Sequence, residues 1–116
     1  MRRLVMLSLL LVAALALTLA PAAFVSAADK LAEVALTIEK QKFDPPEVKV
    51  KAGQPFVLVV TNKDAKAAEV ENKDLKVEKV VAPGKTVNIR VRALKPGTYV
   101  FVDDFNKSAQ VKIVAE

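Results

Sequence analysis

A chain of 116 residues with 53% apolar and 27% charged residues and a net charge of +5 holds one small domain once a targeting segment is set aside. It contains no Cys and no His, which excludes disulfides, a lipid-modified cysteine, and thiolate or imidazole metal ligands, and removes the commonest general base. Lysines are scattered among Glu and Asp, and only Tyr99 and a few Phe offer rings to stack on bases, so nucleic-acid binding is not expected.

Met1-Arg2-Arg3 gives a positive start, and Leu4 to Ala20 is apolar apart from Ser8 and Thr18. Pro21 ends that run, and Val25-Ser26-Ala27 supplies small residues at a cleavage position. Residues 1–27 read as a signal peptide with a helical apolar stretch, cleaved after Ala27, with Ala28 the near alternative. A retained membrane anchor is the competing reading, but the apolar run is shorter than the ~20 residues a span needs. Arg2-Arg3 fits either ordinary or twin-arginine export. The expected product is a periplasmic or secreted domain over residues 28–116, without stable membrane insertion. Loss of Arg2 and Arg3 takes its net charge from +5 to +3.

From Ala32 the hydrophobic period is two. Val34, Leu36 and Ile38 alternate with Ala35, Thr37 and Glu39 as a half-buried strand. Phe43-Asp44-Pro45-Pro46 reads as an extended connection, followed by alternation at Val48 and Val50 and a turn at Ala52-Gly53-Gln54. Phe56 to Val60 is a continuous β-favouring run, the candidate central strand. Thr61-Asn62-Lys63-Asp64 breaks it. Ala65 to Ala68 has the composition of one helical turn, while Glu69-Val70-Glu71 reads as a short strand with both carboxylates on one side. Asn72-Lys73-Asp74 is a turn, with Leu75 and Val77 against a core edge. Ala82-Pro83-Gly84-Lys85 is another turn signal. Val87, Ile89 and Val91 alternate with Asn88, Arg90 and Arg92. The turn at Pro96-Gly97 feeds a strand with Tyr99 and Phe101 on one face, then a polar loop from Asp103 to Lys107 and a last strand from Gln110 to Val114. Seven or eight such strands predict an all-β, antiparallel Greek-key sandwich.

The stretches FDPPEVKVKAGQPFVLVVTNKD (Phe43 to Asp64), VVAPGKTVNIRV and LKPGTYVFVDDF resemble the cupredoxins from about Thr37 to Val114. Asn62-Lys63-Asp64 is similar to the turn before the first copper-ligating His, and Gly97-Thr98-Tyr99-Val100-Phe101 to the strand leading to the ligating Cys. The Asp103-Asp104-Phe105 loop and the Glu69-Val70-Glu71 strand look most like EfeO-type cupredoxin-like proteins, which are associated with bacterial iron uptake and envelope metal handling. The resemblance implies a cupredoxin-like fold. It does not bring a blue-copper site: at the first His stands Ala68 or Glu69, at the Cys Asp103, and at the second His Asn106 or Lys107, and no Met follows residue 6. A type-1 centre needs a thiolate and two imidazoles.

Placed by that fold, Glu69, Glu71, Asp103 and Asp104 are the candidate metal ligands, a carboxylate set suited to iron or another oxygen-ligated cation. The plainer reading is solvated charge neutralised by Lys73, Lys76 and Lys107, with Asp103 capping its loop as Asx turns do. Glu78 is either a further ligand or an ion-pair partner of Lys79. Phe105 is a recognition aromatic or a lid over the sandwich end, and Arg90 and Arg92 form a basic stripe or a solvated face. No nucleophile–base pair or acid–base dyad is visible, so a non-enzyme is expected. Two functions follow: an accessory metal-binding module of the cell envelope, or a metal-free module docking an envelope metal-transport protein such as an iron permease.

Overall fold

Alternating apolar residues build nine strands in the computed structural model, which describes residues 30–116; the signal-peptide and anchor readings fall on residues outside that range. The strands are β1 (Ala32–Glu39), β2 (Lys42–Asp44), β3 (Glu47–Val50), β4 (Phe56–Asn62), β5 (Ala68–Asn72), β6 (Val77–Val81), β7 (Thr86–Val91), β8 (Gly97–Asp103) and β9 (Asn106–Ala115). Two sheets face each other, one in the order β2-β1-β4-β7, the other β3-β9-β8-β5-β6. Between them lie Leu36, Ile38, Leu58, Val60, Val70, Phe56, Phe101, Val111 and Ile113, all essentially closed to solvent. Each contributes about 1.5–3 kcal/mol by burial.

The sandwich is the one the alternation predicts, but its sheets are mixed rather than purely antiparallel. β1 runs parallel to β4 and β3 parallel to β9, while every other pair is antiparallel. The chain leaves the first sheet after β2, lays β3 on the edge of the second, and returns for β4, so both parallel pairs are crossovers. β4 lies between β1 and β7, as its β-favouring composition suggests.

Two local expectations differ. Phe43 and Asp44, read as part of a connection, belong to β2, which forms a two-residue hairpin with β1 through Lys40 and Gln41. Both turn residues have positive φ (52° and 60°), as a type I′ turn demands. Neither is Gly or Asn; the Asp64 carboxylate holds them by accepting the backbone N–H groups of Lys40 (2.7 Å) and Gln41 (2.8 Å). Residues 65–68 form no helical turn. Asn62, fully buried, donates from Nδ2 to the carbonyls of Lys66 (2.8 Å) and Val81 (3.0 Å) and accepts the Asp64 N–H at Oδ1 (3.0 Å). That pins the segment as an irregular loop over the sandwich end.

Candidate metal centre

β5 is buried along its whole length. Ala68 and Val70 face the core; Glu69 and Glu71, two residues apart, share the outer face of the second sheet, as strand periodicity requires. In the β5–β6 ladder Glu69 lies opposite Val80 and Glu71 opposite Glu78; in the β5–β8 ladder Glu71 lies opposite Val102. The β8–β9 turn closes over the start of β5. The Glu69 N–H donates to Asp103 Oδ1 (2.8 Å), and the Asp104 N–H donates to the Glu69 carbonyl (2.8 Å). Asp103 Oδ1 also accepts the Phe105 N–H at 3.0 Å. These bonds tighten the turn to Asp104 and Phe105, shorter than the loop expected over 103–107, with a ladder irregularity between Val102 and Asp103.

The four candidate ligands therefore separate. Glu69, Glu71 and Asp104 each offer a carboxylate oxygen within 4.8 Å of the others. Asp103 is not in that group. Adjacent strand residues point to opposite faces, so Asp103 turns inward, 5% exposed, and its carboxylate serves the backbone as a turn cap. Lys73 Nζ stands 3.8 Å from Glu71 Oε1 and Lys107 Nζ 3.8 Å from Asp104 Oδ1; Lys76 forms no ion pair among the described residues. Glu69 is only 9% exposed, and none of the three ion pairs among the described residues reaches it. Burial first, then a hydrogen bond and repulsion from Glu78, then repulsion from Asp104 and Glu71, push its carboxyl up to about 7. Like charges gathered with one member outside the ion pairs of the described residues suit a cation, and all-oxygen donors suit a hard one.

A separate cavity of about 590 Å³ opens at the end of the sandwich, lined among others by Ala68, Asp103, Asn106, Asp64 and Phe105. Three positions aligned above with copper ligands thus meet at one place. They bring a methyl group, a carboxylate committed to two N–H donors, and an amide, which do not fit a type-1 copper ion. Phe105 is 58% exposed at the rim rather than folded across the end. Arg90 and Arg92 are exposed on and just after β7.

The profile of the family described as cupredoxin-like domain matches residues 8–115. The chain belongs to the cupredoxin-like domain family. This cupredoxin-like chain is 38% identical over 79 residues to an uncharacterized protein of Rickettsia prowazekii (strain Madrid E), a match covering 68% of this chain and 63% of that relative. Its fold is similar to the metal-binding domain of the Cu(I)-exporting P-type ATPase CopA of Streptococcus pneumoniae, solved with Cu(I), at 14% identity over 72% of this chain and 84% of that one (TM-score 0.65). It is also similar to reduced auracyanin from Roseiflexus castenholzii, at 17% identity over 72% and 96% (TM-score 0.61). At these identities the two structures speak to the fold alone. Among the described residues no helix is long and apolar enough to cross a membrane.

Proposed function

We propose that this cupredoxin-like protein is an exported, non-enzymatic accessory module of the EfeO type that holds iron or a similar cation through carboxylates in envelope metal uptake or handling. The observation that carries the reading is the convergence of Glu69, Glu71 and Asp104 within 4.8 Å, with Glu69 buried and outside every ion pair among the described residues. The signal-like residues 1–27 support export to the periplasm or beyond. A fold shared with a metal-binding domain is in keeping with this class of function, while the donor set is one of hard oxygen ligands rather than soft copper ligands.

The test is a thermal melt of the chelated protein repeated with Fe(III) kept soluble by a weak ligand, Mn(II), Ca(II) and Cu(II). An ion at one hundred times its Kd stabilises the folded state by ~2.7 kcal/mol through mass action. A rise for one ion, lost in Glu69→Gln/Glu71→Gln, supports the site; no rise with any ion rejects it.

A second reading rests on Phe105, whose ring stands exposed at the turn tip while Val80 and Val100 are exposed on the second sheet. There the sandwich end docks an envelope partner, such as an iron permease, without metal. On that reading no ion shifts the melting midpoint, and Phe105→Ala abolishes capture of the partner.

A further inference from the structure

We propose that the cavity at the sandwich end binds a free amino acid as its zwitterion, the ammonium group on Asp103 Oδ2 and the carboxylate toward Lys40 and Lys66. This goes beyond metal binding, since none of Glu69, Glu71 and Asp104 lines the cavity. At about 590 Å³ it falls within the roughly 300–1,000 Å³ of small-molecule sites. Ile38 and Ala68, both closed to solvent, supply its buried apolar lining. Ala65, Ala67 and the Phe105 ring, all exposed, continue that surface outward. Methyl groups at 65, 67 and 68 leave space that larger side chains would fill.

The polar groups of the lining divide into spent and unspent. Asp64 has one oxygen on the Lys40 N–H and the other on the Gln41 N–H. Asp103 uses Oδ1 for both donors of the turn cap, and its Oδ2 accepts from none of the described residues. Among them no side-chain oxygen shut off from solvent lacks a partner. Oδ2 of this 5% exposed residue therefore opens to solvent, and the open space that Asp103 lines is the cavity. A carboxylate oxygen so placed binds an ammonium donor more strongly than a neutral one. Lys40 and Lys66, exposed on the same lining, enter none of the three ion pairs among the described residues. One anionic acceptor within and two cations at the mouth match a ligand that carries both charges, and the apolar walls suit an apolar side chain beside the Phe105 ring. The frame is held by the protein's own bonds. Asn62 fixes the Lys66 carbonyl at 2.8 Å, Asp64 fixes the Lys40-Gln41 turn, and Asn106 Nδ2 reaches Gln41 Oε1 at 3.4 Å. Such preorganisation lowers the ordering cost of binding.

The experiment is calorimetric titration of the chelated protein with L-phenylalanine, with N-acetyl-L-phenylalanine, which lacks the ammonium group, and with L-phenylalaninamide, which lacks the carboxylate. The wild type is expected to bind phenylalanine about tenfold or more tighter than either analogue, as loss of a charge-assisted hydrogen bond requires. Asp103→Asn keeps a capping oxygen and is expected to weaken phenylalanine by a similar factor while leaving N-acetyl-phenylalanine unchanged. Lys66→Gln, at an exposed residue outside the cap, tests the other end with the fold intact: it weakens phenylalanine and not phenylalaninamide. Lys112→Gln, exposed on β9 and away from the cavity, changes neither. Equal affinity for the three ligands, or an unchanged preference in Asp103→Asn and Lys66→Gln, overturns the zwitterion site. A wild type that binds none of them overturns it too and leaves the carboxylate metal site standing, because the two share no ligand.

Discussion

Replacing Asp103 separates a structural carboxylate from a ligand. The side chain is 5% exposed and one oxygen receives two N–H groups, from Glu69 at 2.8 Å and Phe105 at 3.0 Å. Hydrogen bonds to a charged acceptor contribute about 1.5–3 kcal/mol each, and an N–H left buried without a partner costs about 1–3 kcal/mol. Part of that loss is offset because Asp103→Ala no longer takes a charge out of water, so the expected net destabilisation is about 2–4 kcal/mol. Asp103→Asn keeps an oxygen at the same place and loses only the charge assistance, about 1 kcal/mol. In urea, with a slope near 1 kcal/mol/M for a domain of this size, the Ala variant unfolds about 2–4 M earlier and the Asn variant about 1 M earlier. Ion-dependent melting of the Asn variant should match the wild type. Equal midpoints for Ala and Asn refute the capping role, and a selective loss of ion response in Asn makes Asp103 a ligand.

Asn62→Ala leaves the carbonyls of Lys66 and Val81 and the N–H of Asp64 without their side-chain partner; a loss of about 3 kcal/mol is expected by equilibrium denaturation. Burial and crowding push the Glu69 carboxyl up to about 7 in the folded state, against its ordinary value of 4.5, so between those values the folded state holds a proton that the unfolded chain has released. The stability associated with that proton is fully present below about pH 4.5 and is lost as pH rises through 7. Melting midpoints of the chelated protein should therefore carry a downward component across that window that Glu69→Gln lacks. An identical pH profile in the two proteins contradicts the crowding of carboxylates around Glu69.

Much of this molecule is written locally. The alternations at Val34–Ile38, Val87–Val91 and Tyr99–Phe101 decide which faces are buried, and a period of two puts Glu69 beside Glu71 whatever the partner strands are. The same rule separates Asp103 from Asp104, but reading both as members of one loop hid their opposite orientations; the strand continues one residue further than its polarity suggests. The Lys40-Gln41 turn was not legible because its positive φ values come from no Gly or Asn. They are imposed by Asp64, distant in sequence and brought near only by the packing of β4 beside β1. Strand direction was equally silent, since alternation says which side faces the core and nothing about whether a neighbour runs up or down. Glu78 stayed open between further ligand and ion-pair partner of Lys79 for a related reason: its place opposite Glu71 is a matter of register, and register belongs to two strands at once.

The parallel pairing of β3 with β9 sets when this protein can acquire its structure. Glu47 pairs with Lys112 and Val50 with Ala115, so this ladder joins the first third of the domain to its last residues. Entropy lost in closing such a long loop comes before the contacts that reward it, a pattern typical of slow-folding β proteins. β9 is also flanked on both sides, by β3 and β8, so a chain lacking it offers β5 and β6 no complete sheet on which to assemble. During synthesis the hairpins of the first sheet are free to flicker, but the second sheet has no native form until the final ten-residue strand emerges. The carboxylates of β5 and the turn that faces them are therefore brought together only once β9 has taken its place between β3 and β8.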